Sequence, residues 1–412
     1  MSRNNWPSFT RGVNYSYERI ITMYSKNNNF SITRLWKNSR LFLFSGLLSL
    51  SVALPSFTHA ATPWYSHGRS HTLTLTQDGK VWSLGGNKFG EMGIGVFGGD
   101  NLEPRLIEEL EGVTAALAGG SHSVALKNDG TVWAWGFNGS GQLGDGSTKS
   151  SPLPMKVAGL DNVKAIATGS SHIVALKRDG TVWTWGGNRS GQLGNGEYQD
   201  CMTPVQVTAL KDVTAIAAGA FNTAVLRKDG TVWSWGFNAK GQLGNGGKER
   251  SNVPVQVSGL SDVHAIAAGD WHVAALRHDG SVWAWGSNHA SQLGTTLMST
   301  SRVPVRIPGL DNIIDITASV GHTIAIAKNR NVWAWGDAGT GQWGNGSSLD
   351  GSVTPIQVTG YSGHVNVAAV VNPSTIRNDD SDDSLLQALL QAKDESAKNL
   401  AAKSDIFMTA SR

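Results

Sequence analysis

Five histidines, His71, His122, His172, His272 and His322, recur about every fifty residues, and Asn222 fills the one remaining place. Imidazole is a common metal ligand and general base, so a periodic set raises metal chemistry first. Metal ligands must converge to within ~2.1 Å of one ion, whereas this period sets equivalent atoms on separate units. Hydrogen bonding suits the pattern better, because Asn also donates and accepts, so these residues read as bonders fixing each unit beneath a Gly turn. Asp129, Asp179, Asp229 and Asp279 each precede Gly and lie at one end of their units, as turn formers. Glycoside hydrolysis would need two opposed carboxylates. No Gly-rich phosphate loop, His-Glu-x-x-His or Gly-x-Ser-x-Gly occurs. The single cysteine, Cys201, makes neither an internal disulfide nor a Cys-rich metal site. The sequence therefore offers no catalytic residue, metal site or cofactor site, and the chain reads as non-enzymatic.

The elements that must carry these residues form one repeated unit: Gly-x-x-His, an apolar strand, Asp-Gly, Val-Trp-x-Trp-Gly-x-Asn, Gly-Gln-Leu-Gly and Pro-x-x-Val. The clearest copies run from Gly169 to Val207 and from Gly219 to Val257. Units of this size cannot bury an apolar face alone and stack into an array. In the second copy, Val113 to Gly119 reads as one strand and His122 to Leu126 as the next. Asn128-Asp129-Gly130 turns the chain, Thr131 to Trp135 is the third strand, and Pro154 to Val157 the fourth, at an edge that tolerates Pro. Four short antiparallel strands make one blade of a β-propeller, an all-β fold. The sixth copy carries Asn329-Arg330 in place of Asp-Gly. The first copy lacks its opening strand, and the last is followed by a spare one, Val365 to Val371. Pairing these N- and C-terminal strands closes a ring of six blades. The Trp pairs, such as Trp133/Trp135 and Trp183/Trp185, fall where a blade-to-blade core belongs.

This signature, over roughly residues 65–371, resembles the regulator of chromosome condensation repeat family, and the chain looks like an exported bacterial member of it. The resemblance implies a propeller, usually of seven blades; six copies depart from that. The family includes a plant UV-B photoreceptor with clustered tryptophans, β-lactamase-inhibiting propellers, and a nuclear protein that exchanges guanine nucleotide on a small GTPase through an inserted β-wedge. No insertion of that kind breaks a copy here.

Residues 1–60 hold seven of the 34 Lys and Arg but only one of the 31 acids, Glu18, so the remainder carries 27 basic against 30 acidic residues. A mildly acidic body lacks the footprint of a duplex binder, so nucleic acid is not an expected partner. Lys37 and Arg40, the apolar run from Leu41 to Leu54, and Thr58-His59-Ala60 read in that order as a secretory signal cleaved after Ala60. Met23 is the expected start, because the stretch ahead of the apolar run is long. The run is short for a bilayer span, so no stable membrane anchor is expected and the chain is placed in the periplasm or outside the cell. Residues 61–371 form the propeller. Residues 372–412 read as a polar linker, Asn378 to Asp383, and a short amphipathic helical tail from Ser384.

Comparison among copies locates function. One face carries Asp-Gly turns and near-identical Gly-Leu-x-x-Val connections; the other carries the Gly-x-x-His turns and the long loops after Trp-Gly, which vary. There lie Phe137, Arg189, Phe221, Phe237, Lys240, Asp270, Trp271 and His289, with Tyr198, Lys248, Glu249 and Arg250 further out. Aromatics and Arg on loops of a rigid scaffold have the composition of a binding hot spot. Phe221 and Trp271 on adjacent copies either serve binding or fold onto a neighbouring blade. The sequence reading is a protein-binding scaffold or inhibitor-like module using this face. The alternatives are an exchange-type effector on a small GTPase and an enzyme using the central channel.

Overall fold

Asp129 Oδ1 accepts the backbone N–H of Thr131 at 2.9 Å and its hydroxyl at 2.6 Å, while Gly130 takes φ +78°. This small set of bonds reverses the chain between the strands His122–Lys127 and Val132–Gly136. Asp179, Asp229 and Asp279 repeat it with Thr181, Thr231 and Ser281. Each reversal sits at the middle of a four-stranded antiparallel sheet. The computed structural model describes residues 64–296, 299–339 and 351–358, and these contain six such sheets. They span residues 64–106, 113–156, 163–206, 213–256, 263–306 and 313–357, here called blades one to six. Opening strands of successive sheets touch one another, so they lie innermost and the Pro-containing strands outermost. This is a six-bladed β-propeller of the expected class.

Strand bounds differ slightly from the sequence reading. In blade two the outermost strand is Ser151–Lys156. Its ladder to the third strand is interrupted: Ala134 pairs Met155 and Gly136 pairs Ser151. Pro152 and Pro154 fall in that interruption, where no N–H is required. Blade one corrects the sequence reading. Trp64–His67 pairs with His71–Leu75, so this blade has an opening strand of its own and does not need one from the C-terminal end. Trp64-Tyr65-Ser66-His67 lacks the alternating Ala pattern of the other opening strands, which hid it. The expected signal (residues 1–60), the spare strand (365–371) and the linker and tail (372–412) lie outside the described residues.

The core lies between blades. Trp135, Trp185, Trp235, Trp285 and Trp335 are wholly buried, each the second tryptophan of its pair. The first tryptophans, such as Trp133 and Trp183, pack at the cluster margin and stay partly exposed. The innermost strands carry Ala115, Ala165, Ala215 and Ala265, small residues where neighbouring strands converge on the axis. Blade six instead places Asp315 there, 8% exposed, and burial pushes its carboxyl up to about 7.

Candidate functional site

The variable rim is held by bonds that run from blade to blade. The carbonyl of Gln192 accepts the indole N–H of Trp235 at 2.8 Å and the Thr223 hydroxyl at 2.9 Å, both from the next blade. Glu91 does the same for Trp135 and Ser123, and Gln292 for Trp335 and Thr323. With those hydroxyl protons committed, the histidine of the preceding blade must donate to the hydroxyl. His71, His172 and His272 do so through Nε2, to Ser123 at 2.8 Å, Thr223 at 3.0 Å and Thr323 at 2.8 Å. These three histidines are thus inter-blade staples.

Two departures explain each other. Blades three and five offer Ile173 and Val273 where the others offer a hydroxyl. His122 turns to Thr168 Oγ1 at 2.7 Å instead. Blade four replaces His by Asn222, and neither polar atom of that side chain finds a partner among the described residues. The expectation that Asn222 substitutes as a hydrogen bonder is corrected: there is nothing across the seam to bond.

The long loops are equally fixed. Asn138 Oδ1 accepts the Leu143 N–H at 2.9 Å, and Gln142 Oε1 accepts that of Ser140 at 2.9 Å. Gly146 then donates to Met202 on the outermost strand of the next blade. The inner turns join around the axis, with Ser170 N–H to Ala220 O at 3.1 Å and Ala220 N–H to Asp270 O at 3.2 Å. A rim tied at this density presents its side chains from a pre-organised frame.

On that frame three rings meet. Phe221 and Trp271 lie 5.8 Å apart by ring centroids, and Phe237 stands edge-on to Trp271 at 5.6 Å. All three are half-buried. Each ring therefore packs on its neighbours and keeps part of its surface exposed. Lys240 Nζ lies 3.2 Å from His289 Nε2 across blades four and five. The Arg250 guanidinium stacks over Tyr198 at 4.4 Å and donates to the Arg189 carbonyl at 2.8 Å. Asp270 precedes Trp271 on the inner turn; burial raises its carboxyl while Arg69 pulls it down.

Seven of the eight expected site residues thus lie on blades three to five. Phe137 does not join them: it pairs with Phe89 at 4.8 Å across blades one and two. Sequence reasoning missed Phe89, and also Val96 and Phe97, each 54% exposed on the blade-one loop. Comparing that loop with its copies would have found them, since Ser140, Ser147 and Thr148 occupy those places in blade two.

A family model for the RCC1-like domain matches residues 52–374. The regulator of chromosome condensation of Homo sapiens is 33% identical over 108 residues, 26% of this chain and 26% of that protein. The mitochondrial RCC1 domain-containing protein RUG3 of Arabidopsis thaliana is 40% identical over 97 residues, covering 22% of this chain and 21% of that protein. These alignments span about a quarter of the relatives' lengths. Among solved structures, yeast RCC1 (Prp20) bound to Kap60 is similar at TM-score 0.64 and 26% identity, over 72% of this chain and 74% of that one. Human WBSCR16 is similar at TM-score 0.65 and 25% identity, over 73% and 82%.

Proposed function

The chain belongs to the RCC1-like domain family, and from that premise we propose that it is a non-enzymatic propeller that binds another protein across the loop-rich rim of blades three to five. The observation that carries the reading is the three-ring cluster of Phe221, Phe237 and Trp271, flanked by Lys240, His289 and the Arg250–Tyr198 stack. Half-buried aromatics edged by cations on a rigid frame have the make-up of an interface hot spot. The solved relatives support the class of partner: yeast RCC1 was crystallised with Kap60, and a Saccharomyces cerevisiae structure is described with its binding properties to Gsp1p and histones. The partner of this chain is a protein met after export, given the leader read in residues 41–60.

The test is affinity capture from the exported fraction with the chain and with a Phe221→Ala/Trp271→Ala variant. The expected result is a protein retained by the first and lost by the second, with both propellers folded. Equal retention by the two would sink the rim assignment. Sequencing the exported chain is expected to give a start at Ala61; a start before residue 41 would refute cleavage.

A further inference from the structure

In blades two to five the first tryptophan of each pair is partly exposed at the face opposite the variable rim, with its polar edge satisfied. Its indole N–H donates to the turn hydroxyl: Trp133 to Thr131 at 3.2 Å, Trp183 to Thr181 at 3.3 Å, Trp233 to Thr231 at 3.2 Å, Trp283 to Ser281 at 3.1 Å. A basic residue, Lys127, Lys177, Arg227 or Arg277, ends the second strand beside it, and the two lysines sit over their rings at 5.4 and 5.6 Å.

Blade six changes all of this around Trp333. Asn331 replaces the hydroxyl, and the Trp333 N–H has no hydrogen-bond partner among the described residues. Ala327 replaces the basic residue, so no cation covers the ring from that place. Arg330 replaces Gly and holds φ +68°, a left-handed conformation that is unfavourable for a residue carrying a side chain. The turn itself survives, with Asn329 Oδ1 accepting the Asn331 N–H at 3.0 Å. An open cavity of about 650 Å³ lies at this point, lined by Asp311, Asn312, Lys328, Asn329, Asn331 and Trp333.

We infer that this cavity on the sixth blade is a binding site for a neutral saccharide. A half-exposed indole offers a flat apolar surface and one donor, which suits the C–H face and a hydroxyl of a pyranose. Three amide side chains and a carboxylate within the same cavity supply the paired donors and acceptors that sugar hydroxyls require. Anionic ligands are disfavoured, because Lys328 is opposed by Asp311 in the lining. The site is on the other face from the proposed protein-binding rim and does not depend on it.

The test is fluorine NMR of the full chain labelled with fluorotryptophan, titrated with maltose, cellobiose and diacetylchitobiose. The Trp333 resonance is assigned by its loss in Trp333→Phe. It is expected to move saturably with at least one disaccharide, with a Kd of ~1 mM. Restoring the pattern of blades two to five with Ala327→Lys/Asn331→Thr is expected to weaken that binding at least tenfold while the remaining tryptophan resonances keep their positions. Phe221→Ala/Trp271→Ala is expected to leave it unchanged. No movement of the Trp333 resonance with any of the three sugars up to ~50 mM, or undiminished binding by the restored variant, overturns the assignment.

Discussion

Trp235 Nε1 donates to the carbonyl of Gln192, 43 residues earlier and on the preceding blade, at 2.8 Å. Gly194 lies against the same ring: a Cβ there would come within 2.6 Å of that nitrogen, and its φ is +68°. The Gly-Gln-Leu-Gly sequence of one blade is thus the socket for the tryptophan of the next. Trp235→Ala is expected to destabilise the propeller by ~3–5 kcal/mol, and Trp235→Phe by ~1–2 kcal/mol through the lost bond. Gly194→Ala should cost more than ~2 kcal/mol, and Gly259→Ala, which shares the left-handed φ at +67° but has nothing within 4 Å, should cost less. Urea titrations of the three Gly194 and Trp235 variants check this, and a Gly194→Ala chain as stable as the parent would refute the socket.

Acid should loosen the staples. Burial holds His71 down to about 4, and His122, His172 and His272 to about 3, all below the usual 6.5. The unfolded chain therefore binds protons that the folded chain refuses, so stability is fully present above pH 6.5 and is lost as pH falls toward these values. The melting temperature is expected to be flat from pH 7 to 9 with respect to these groups and to fall steeply below pH 6. His172→Asn should flatten that fall while lowering the melting point at neutral pH.

Asp315 has the opposite sign. Its folded value of about 7 lies above the ordinary carboxylate range, so its native state is favoured below pH 4 and penalised as pH rises through 7. Asp315→Ala, the residue at this place in four other blades, is expected to stabilise by up to ~4 kcal/mol at pH 8 and by little at pH 4. Thermal melts at the two pH values check it; equal gains at both would remove the carboxylate from the explanation.

At the rim, Arg250→Ala removes both the stack on Tyr198 and the bond to the Arg189 carbonyl. Because Arg250 is exposed, the fold should lose less than ~1 kcal/mol, while affinity for the captured protein should fall about tenfold or more. Surface plasmon resonance beside a melting curve separates the two effects.

Most of the blade was legible in the sequence because its parts are local. Asp129-Gly130 closes a turn within four residues, and the spacing of Trp133 and Trp135 sets one face of a strand. The opening strand Trp64–His67 was not legible, since its four residues carry no repeat pattern and are recognised only by their partner strand. Nor was the failure of Asn222 as a staple. That depends on Val273 of the next blade, a residue whose proximity no spacing along the chain announces.

The chain's own order of residues determined the repeat, the strand directions and which loops share a face, because turns and alternation act over a few residues. Tertiary structure alone decided which rim side chains meet. Phe221, Phe237 and Trp271 form a cluster while Phe137 faces Phe89 elsewhere, because contact across a seam depends on how adjacent blades are set against each other.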